Sequence, residues 1–164
     1  MNLQSDPGLG GQSQRRILIV EDSSDDLFFL QRALDKSGTR IPIDVVTDGN
    51  QAHAYLNRAV EQARPDAIPC LIFLDLKLPR RNGFDILDWM RQHPVFGDTL
   101  KVILTGSQEE RDVTRAFDLG ADAYVPKPIE LEDLRAVLDA LASGSWRPAA
   151  GGPAGLPGLK RAAA

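Results

Sequence analysis

Five polar side chains stand at or just after the ends of short apolar runs, and their types suit one kind of chemistry. Glu21 and Asp22 follow one run, Asp75 follows another, and Thr105 and Lys127 follow two more. Converging carboxylates suit Mg²⁺, which binds a few carboxylates together with phosphate oxygens. A hydroxyl and an ammonium stabilise a phosphoryl group during transfer. The set therefore predicts metal-assisted phosphoryl transfer to Asp75 as the nucleophile.

Each of these residues also has a plain structural explanation. An aspartate after a strand is commonly a turn former or a helix cap, Thr105 could bond the backbone, and Lys127 could be a solvated surface lysine. Three carboxylates about 5 Å apart would also repel one another by roughly 3 kcal/mol per pair at an effective dielectric constant near 20. The shared position at strand ends, rather than the residue types alone, favours the functional interpretation.

Short apolar runs alternate with amphipathic stretches five times along the middle of the chain. The runs are continuous, which is typical of parallel strands covered on both faces. The stretches between them have the three- and four-residue spacing of helices. Five strand–helix units in succession predict an α/β fold with a doubly wound, five-stranded parallel sheet. The predicted strands are 17–20, 43–46, 70–74, 102–104 and 123–125.

The order of the strands decides whether the polar residues meet. In such sheets, ligands bind beyond the carboxyl ends of the strands, where the strand order reverses. In the flavodoxin-like order 2-1-3-4-5, strands one and three are neighbours, so Glu21, Asp22 and Asp75 converge in one crevice. Thr105 and Lys127 face the same space from strands four and five.

Composition limits the other possibilities. The chain has 164 residues, a net charge of −4 and a single cysteine. The acidic balance argues against nucleic acid as a partner. No apolar stretch approaches the roughly 20 residues needed to cross a bilayer, so the sequence predicts a cytoplasmic protein. We expect a flexible arm at 1–14, one folded domain at 15–143 and a flexible tail rich in Gly, Pro and Ala at 144–164.

The candidate residues lie in four motifs that resemble the CheY-like receiver domains of two-component response regulators. The motifs are ILIVEDS, LIFLDLKLPRRNG, VILTGS and GADAYVPKP, and the resemblance runs from about Arg16 to Ala142. It implies that Asp75 accepts a phosphoryl group from a sensor histidine kinase. It also implies that the protein is not a turnover enzyme, since receivers catalyse only their own phosphorylation and slow dephosphorylation.

The resemblance assigns roles to the residues around the acceptor. It implies that Mg²⁺ is held by Glu21 through water, by Asp22, by Asp75 and by the backbone carbonyl of Lys77. Thr105 and Lys127 would hold the phosphoryl oxygens. In the family, the bond that corresponds to Lys127–Pro128 is cis.

The resemblance also implies a conformational switch. Tyr124 matches the family's switch aromatic, which turns inward when the hydroxyl residue, here Thr105, moves toward the phosphate. The surface of the fourth helix, fifth strand and fifth helix would then change, and a partner or a second copy would bind there. Phe117, Tyr124 and Val137 are candidates for that surface, although ordinary core packing explains them equally well.

Two positions depart from the common pattern of the family. Lys77, two after the acceptor, stands where many members have asparagine or methionine, and Ser107 lies two after Thr105. In the family, these positions flank the path of the hydrolytic water. The resemblance therefore ties them to the lifetime of the phosphoryl group rather than to its formation.

Within the family, the sequence resembles the single-domain regulators that serve bacterial and cyanobacterial phytochromes. The stretches that carry this likeness are LKLPRRNG, HPVFGD, SQEERDV and NRAVEQARPDAIP. With about twenty residues after the last predicted helix, we expect no DNA-binding module. Output is then expected through protein contacts: kinase recognition, dimerisation, or relay of the phosphoryl group to another histidine.

The sequence gives less support to three other functions. A phosphatase with an aspartyl-phosphate intermediate needs a second acid two positions after the nucleophile, where this chain has Lys77. A flavodoxin-like electron carrier needs hydroxyls and free amides for the flavin phosphate after strand one, where this chain has Glu21 and Asp22. A degenerate receiver that only binds partners is disfavoured, because all five site residues are present.

Overall fold

A computed structural model describes residues 15–107 and 109–146, and within them five strands alternate with five helices. The strands are β1 (Ile17–Val20), β2 (Ile43–Val46), β3 (Leu71–Leu74), β4 (Leu100–Thr105) and β5 (Ala123–Pro126). The helices are α1 (Ser24–Ser37), α2 (Gly49–Gln62), α3 (Gly83–Arg91), α4 (Glu110–Asp118) and α5 (Leu131–Ser143). Short 3₁₀ turns at Pro65–Ala67 and Pro94–Phe96 precede β3 and β4. None of the described helices is long and apolar enough to cross a membrane.

The five strands form one parallel sheet in the order β2-β1-β3-β4-β5, which confirms the predicted topology. The register pairs Val20 of β1 with Leu74 of β3. The ladder continues one step further, because the Asp75 N–H donates to the Val20 carbonyl at 3.2 Å. Glu21 and Asp75 therefore leave the sheet side by side.

Helices cover both faces of the sheet, which explains the continuous apolar runs. Successive side chains of a strand point to opposite faces. Ile17 and Ile19 pack in the layer that contains α1 and α5, whereas Leu18 and Val20 pack in the layer that contains α2, α3 and α4. The strands β1, β3 and β4 are buried along their whole length, and the edge strand β2 is half-buried.

Two glycines allow helices to begin close to the loop that follows β3. A Cβ atom at Gly83 would lie 2.3 Å from the Asp75 carbonyl oxygen, and one at Gly49 would lie 1.8 Å from the Arg81 carbonyl oxygen. Only glycine permits such close approach of two backbones. Asn82 then caps α3, because its Oδ1 accepts the Asp85 N–H at 3.0 Å. The loop after Asp75 is thus held between two helix starts.

The strand β4 begins two residues earlier than predicted. A lysine argues against a strand covered on both faces, so the apolar pattern placed the start at Val102. Lys101 is nevertheless buried, and its Nζ donates to the carbonyl oxygens of Phe96 at 2.9 Å and Thr99 at 3.0 Å. The Lys101 backbone N–H donates to Asp122 Oδ2 at 2.8 Å, just before β5. Nearby backbone carbonyls accept the hydrogen bonds of the Lys101 ammonium, and the sequence pattern does not reveal these partners.

The folded part of the chain continues past the predicted boundary at 143. Trp146 is only 4% exposed and packs in the layer of α1 and α5. Gly144 has a φ of 68°, the left-handed conformation that ends a helix and reverses the chain. The prediction that the tail begins at residue 144 is therefore wrong, because this glycine is a helix cap rather than a linker residue. The predicted arm at 1–14 and residues 147–164 lie outside the described residues.

Two of the three residues suggested for a dimer surface are core residues. Val137 is fully buried and Tyr124 is 3% exposed, so neither presents a contact surface. Helical spacing places Val137 on the same face as Leu134 and Leu141, which are also buried. Phe117 is half-buried and packs against the layer that contains Tyr124.

Candidate functional site

Three carboxylates meet at the carboxyl end of the sheet, as the strand order predicts. Oxygens of Glu21, Asp22 and Asp75 all lie within 4.8 Å of one another. Glu21 and Asp75 are buried, and Asp22 is exposed. Backbone groups also reach the pair, since the Ser23 N–H donates to Glu21 Oε1 at 3.0 Å and the Lys77 N–H donates to Asp75 Oδ1 at 3.3 Å.

Lys127 brings an ammonium to this cluster from the loop after β5. Its Nζ lies 2.5 Å from Glu21 Oε2, 2.8 Å from Asp75 Oδ2 and 3.0 Å from Asp26 Oδ2. Burial lowers the pKa of Lys127, but hydrogen bonds to the three carboxylates outweigh it, and the net effect is to raise the pKa above its ordinary value. Lys127 is therefore charged at neutral pH.

A single ammonium does not compensate the carboxylates around it. Burial raises the pKa of Glu21, and the charge of Asp75 acts in the same direction, while Lys127 and the Ser23 N–H oppose them. The net pKa of Glu21 is raised, which shows that its ionised form is held at a cost. With its three carboxylates ionised, the cluster carries more negative charge than Lys127 neutralises, and a bound cation would offset the rest.

Thr105 lies at the predicted strand end, but its hydroxyl is engaged by the loop after β4. Thr105 is buried, and its Oγ1 accepts the Ser107 N–H at 3.3 Å. Among the residues that the structure describes, this hydroxyl makes no hydrogen bond to Asp75 or to Lys127. The backbone does join the two strands, because the Lys127 N–H donates to the Thr105 carbonyl at 2.9 Å.

Tyr124 is directed inward and bonds the same loop. Its hydroxyl donates to the Ser107 carbonyl at 2.7 Å, and burial raises the pKa of Tyr124. The Ser107 hydroxyl in turn donates to Asp112 Oδ2 at 2.7 Å in α4. Ser107 therefore links Thr105, Tyr124 and α4. Coupled movement of Thr105 and Tyr124 stays a prediction, since the structure holds one arrangement of the pair.

Comparison with known proteins identifies the family. The sequence matches the family described as "Response regulator receiver domain" over residues 17–139. The chain belongs to this receiver family.

Similar receivers include phytochrome response regulators. Response regulator Rcp1 from Synechocystis sp. is 35% identical over 118 residues, which cover 72% of this chain and 80% of Rcp1. The solved bacteriophytochrome response regulator RtBRR is 39% identical with a TM-score of 0.68, over 85% of this chain and 83% of that one. The phosphorylated cyanobacterial phytochrome response regulator RcpA is 29% identical with a TM-score of 0.66, over 80% and 96%.

The acidic cluster of this receiver fits a hard divalent cation. Carboxylate oxygens are the donors that Mg²⁺ prefers, and an exposed Asp22 beside the buried pair leaves access for water ligands. The solved Mn²⁺-bound form of Rcp1 is 32% identical to this chain with a TM-score of 0.63, over 79% of this chain and 92% of that one. The ligand role of the Lys77 carbonyl stays a prediction, although the Lys77 backbone does contact Asp75.

Two receiver residues near the site make contacts that were not predicted from the sequence. Asp26 was not among the candidate residues, yet its carboxylate contacts Lys127. Its position in the first turn of the helix that follows the acidic pair Glu21 and Asp22 is the signal that could have placed it there. Ser107 was expected to affect hydrolysis, but its hydrogen bonds to Thr105, Tyr124 and Asp112 were not foreseen. The cis Lys127–Pro128 bond implied by the family resemblance is present.

Proposed function

We propose that this receiver accepts a phosphoryl group on Asp75 from a sensor histidine kinase in a Mg²⁺-dependent reaction. The observation that carries the proposal is the Lys127 ammonium 2.8 Å from Asp75 Oδ2, inside a buried acidic cluster. An oxygen of Asp75 forms a bond to phosphorus, while the P–N bond of the donor phosphohistidine breaks. The electron pair of that bond stays on the donor imidazole.

The other residues of the site stabilise the charge that arrives with the phosphoryl group. Lys127 already lies against the acceptor and can contact a phosphoryl oxygen without large movement. Thr105 would donate its hydroxyl to another phosphoryl oxygen after leaving Ser107. Glu21, Asp22, Asp75 and the Lys77 carbonyl would hold Mg²⁺, which when bound offsets negative charge on carboxylate and phosphoryl oxygens.

We propose that Asp75 accepts and keeps a phosphoryl group and is not the nucleophile of an enzyme that turns over a substrate. The position two residues after Asp75 is the exposed Lys77, which is no carboxylic acid and cannot serve as the proton donor of an aspartyl phosphatase. We therefore expect only slow hydrolysis of the acyl phosphate by water. The cytoplasmic location predicted from the sequence belongs to this proposal as well.

We propose a phytochrome-type histidine kinase as the phosphoryl donor. RtBRR and RcpA, which are named as phytochrome response regulators, support this partner because both resemble the chain over most of its described length. Output through protein contacts, including a homodimer formed by the surface of α4, β5 and α5, completes the proposal. Nucleic acid is not proposed as a partner, since the chain carries a net charge of −4.

Phosphorylation by acetyl phosphate, followed on a phosphate-affinity gel, tests this proposal. We compare the wild-type protein with Asp75→Asn and with Asp122→Asn, an aspartate at the other end of the sheet. A retarded band is expected for the wild type and for Asp122→Asn, and its loss is expected in Asp75→Asn and with a chelator. A retarded band that persists in Asp75→Asn would refute the acceptor.

The kinase partner is tested by replacing acetyl phosphate with autophosphorylated kinases. A bacteriophytochrome kinase is expected to phosphorylate the wild-type protein at least tenfold faster than a histidine kinase of an unrelated sensor class. Equal rates for both donors would remove the phytochrome from the proposal and leave the acceptor role intact.

A further inference from the structure

A fourth carboxylate, that of Asp26, contacts the ammonium of the site from α1. Asp26 Oδ2 lies 3.0 Å from Lys127 Nζ, and the Asp26 side chain is 39% exposed where that of Lys127 is 12% exposed. The Asp26 backbone N–H donates to Ser23 Oγ at 3.3 Å, which fixes Asp26 in the first turn of the helix. Asp26 is not one of the three carboxylates grouped as possible metal ligands. It therefore acts on the site through Lys127.

A cation and Lys127 compete for the same oxygens. Lys127 Nζ occupies Glu21 Oε2 at 2.5 Å and Asp75 Oδ2 at 2.8 Å. The remaining oxygens of these two carboxylates accept the N–H groups of Ser23 and Lys77. Because two positive charges at one carboxylate repel each other, a divalent cation bound there favours release of the ammonium from at least one of these oxygens.

We propose that Asp26 is a positioning residue that keeps Lys127 at the edge of the site when Glu21 or Asp75 releases it to a divalent cation. This inference rests on the proposed function, because it requires a cation at the acidic cluster. In the free protein, Asp26 is one of three partners of the ammonium. In the cation-bound protein, the ammonium has lost at least one of the other two partners and keeps Asp26. Asp26 therefore stabilises the cation-bound form more than the free form and tightens cation binding.

Asp26 also keeps the ammonium within reach of the acceptor. Without it, Lys127 either returns to Glu21 and Asp75 and opposes the cation, or moves into solvent and leaves the incoming phosphoryl group without its donor. Both outcomes weaken the same site. The carboxylate on α1 thus lets the cation and the ammonium occupy one small pocket together.

The neighbouring Asp25 provides a matched control for charge alone. Asp25 is exposed, precedes Asp26 on the same helix turn, and forms no hydrogen bond or ion pair with Lys127 among the described residues. Asp25→Asn and Asp26→Asn remove the same charge from the same helix. At about 0.15 M salt the screening length is about 8 Å. Loss of either charge therefore changes the long-range attraction of the cation only slightly.

Calorimetric titration with Mg²⁺ tests the proposal. Asp26→Asn is expected to raise the Kd for Mg²⁺ about threefold more than Asp25→Asn does, and Asp26→Glu is expected to recover most of that loss. In the Lys127→Ala background, Asp26→Asn and Asp25→Asn are expected to have equal effects. Equal effects of the two variants with Lys127 present, or an extra effect of Asp26→Asn that survives without Lys127, would overturn the proposal.

Two further measurements distinguish a positioning role from a general loss of stability and from failure of the proposed function. Urea unfolding without Mg²⁺ is measured for each variant, and a loss of stability specific to Asp26→Asn would count against a positioning role. A wild-type protein that neither binds Mg²⁺ nor takes up phosphoryl groups would overturn the proposed function together with this inference. If the wild-type protein does both, and Asp25→Asn and Asp26→Asn raise the Kd for Mg²⁺ equally, only the role of Asp26 is overturned.

Discussion

Two lysines, one buried and one largely buried, lie at opposite ends of the sheet and have opposite surroundings. At the carboxyl end, Lys127 contacts three carboxylates. Near the start of β4, Lys101 donates to the backbone carbonyls of Phe96 and Thr99. Burial lowers the pKa of both ammonium groups; carboxylate hydrogen bonds reverse this for Lys127, whose pKa is raised, whereas the pKa of Lys101 stays lowered.

The difference separates a reactive end of the molecule from a structural one. Burying a charge is costly unless it is paired and hydrogen-bonded. At the amino end of the sheet, the Lys101 ammonium bonds carbonyls of the preceding turn. The Asp122 carboxylate accepts the Lys101 backbone N–H, which ties β4 to the start of β5. At the carboxyl end, the carboxylates outnumber the ammonium, which folding alone does not require. A divalent cation would compensate such a surplus and would also offset the negative charge of an incoming phosphoryl group.

The largest effect on stability is expected from Trp146→Ala, at the end of the sheet where the strands begin. Trp146 is 4% exposed and lines a cavity with Cys70 and Leu141. Removing a buried tryptophan is expected to lower the free energy of unfolding by about 3–5 kcal/mol, with Mg²⁺ affinity unchanged. Urea denaturation measures the first quantity and calorimetry the second. A loss below about 1 kcal/mol would show that Trp146 does not contribute to the core and belongs to the flexible tail predicted from the sequence.

The two lysines themselves give the next largest effect when each is replaced by methionine. Lys127→Met leaves its carboxylates without compensation and is expected to lower the free energy of unfolding by about 3 kcal/mol without Mg²⁺. Lys101→Met removes the ammonium donor from the carbonyls of Phe96 and Thr99, of which that of Phe96 keeps the Thr99 N–H, and is expected to cost about 1–2 kcal/mol. Adding Mg²⁺ should restore much of the loss for Lys127→Met and none for Lys101→Met. Mg²⁺ effects of equal size in both would erase the distinction between the ends.

The titration of Asp122 is expected to have a smaller, pH-dependent effect on the free energy of unfolding. Burial raises the pKa of Asp122 to about 6, so the folded protein holds this proton more tightly than the unfolded chain. The added stability is full below the pKa of the unfolded chain and is lost as the pH rises through about 6.

Urea unfolding of the wild type and Asp122→Asn across this range checks the prediction. The stability of the wild type relative to the variant is expected to fall by about 1–2 kcal/mol between about pH 4 and pH 7. A difference that stays constant over that range would show that the carboxyl group of Asp122 does not titrate there.

The smallest effect is expected from Lys77→Ala, which should change neither stability nor Mg²⁺ affinity. The bond from Lys77 to Asp75 Oδ1 uses the backbone N–H, which alanine retains. The exposed ammonium can pair with a phosphoryl group on Asp75, so its loss is expected to shorten the lifetime of the acyl phosphate about twofold to fivefold. Decay of the phosphorylated band after removal of acetyl phosphate measures this lifetime. An unchanged decay rate would exclude a role for the side chain.

The reactive end could be predicted from sequence because it depends on strand order and strand ends. Apolar runs placed β1 and β2 at their observed bounds, and parallel pairing then fixed where Glu21 and Asp75 leave the sheet. The cis bond before Pro128 came from the family resemblance, since local sequence favours trans. The topology and the convergence of the acidic residues were thus accessible without coordinates.

The features that the sequence did not reveal depend on individual polar and packing contacts rather than on a repeating pattern. Lys101 is tolerated inside a strand because carbonyls of the preceding turn satisfy it. Trp146 returns to the core because Gly144 reverses the chain, although the surrounding composition is that of a linker. Asp26 joins the site only because Lys127, 101 residues away, reaches it. Hydrophobic periodicity carries no record of such partners.

Peptide mapping by mass spectrometry after reaction with acetyl phosphate tests the central claim most directly. The account predicts one phosphoryl group per chain, on the peptide that contains Asp75, formed in the presence of Mg²⁺ and abolished by a chelator. A phosphoryl group on any other residue, or incorporation that the chelator leaves unchanged, would contradict it.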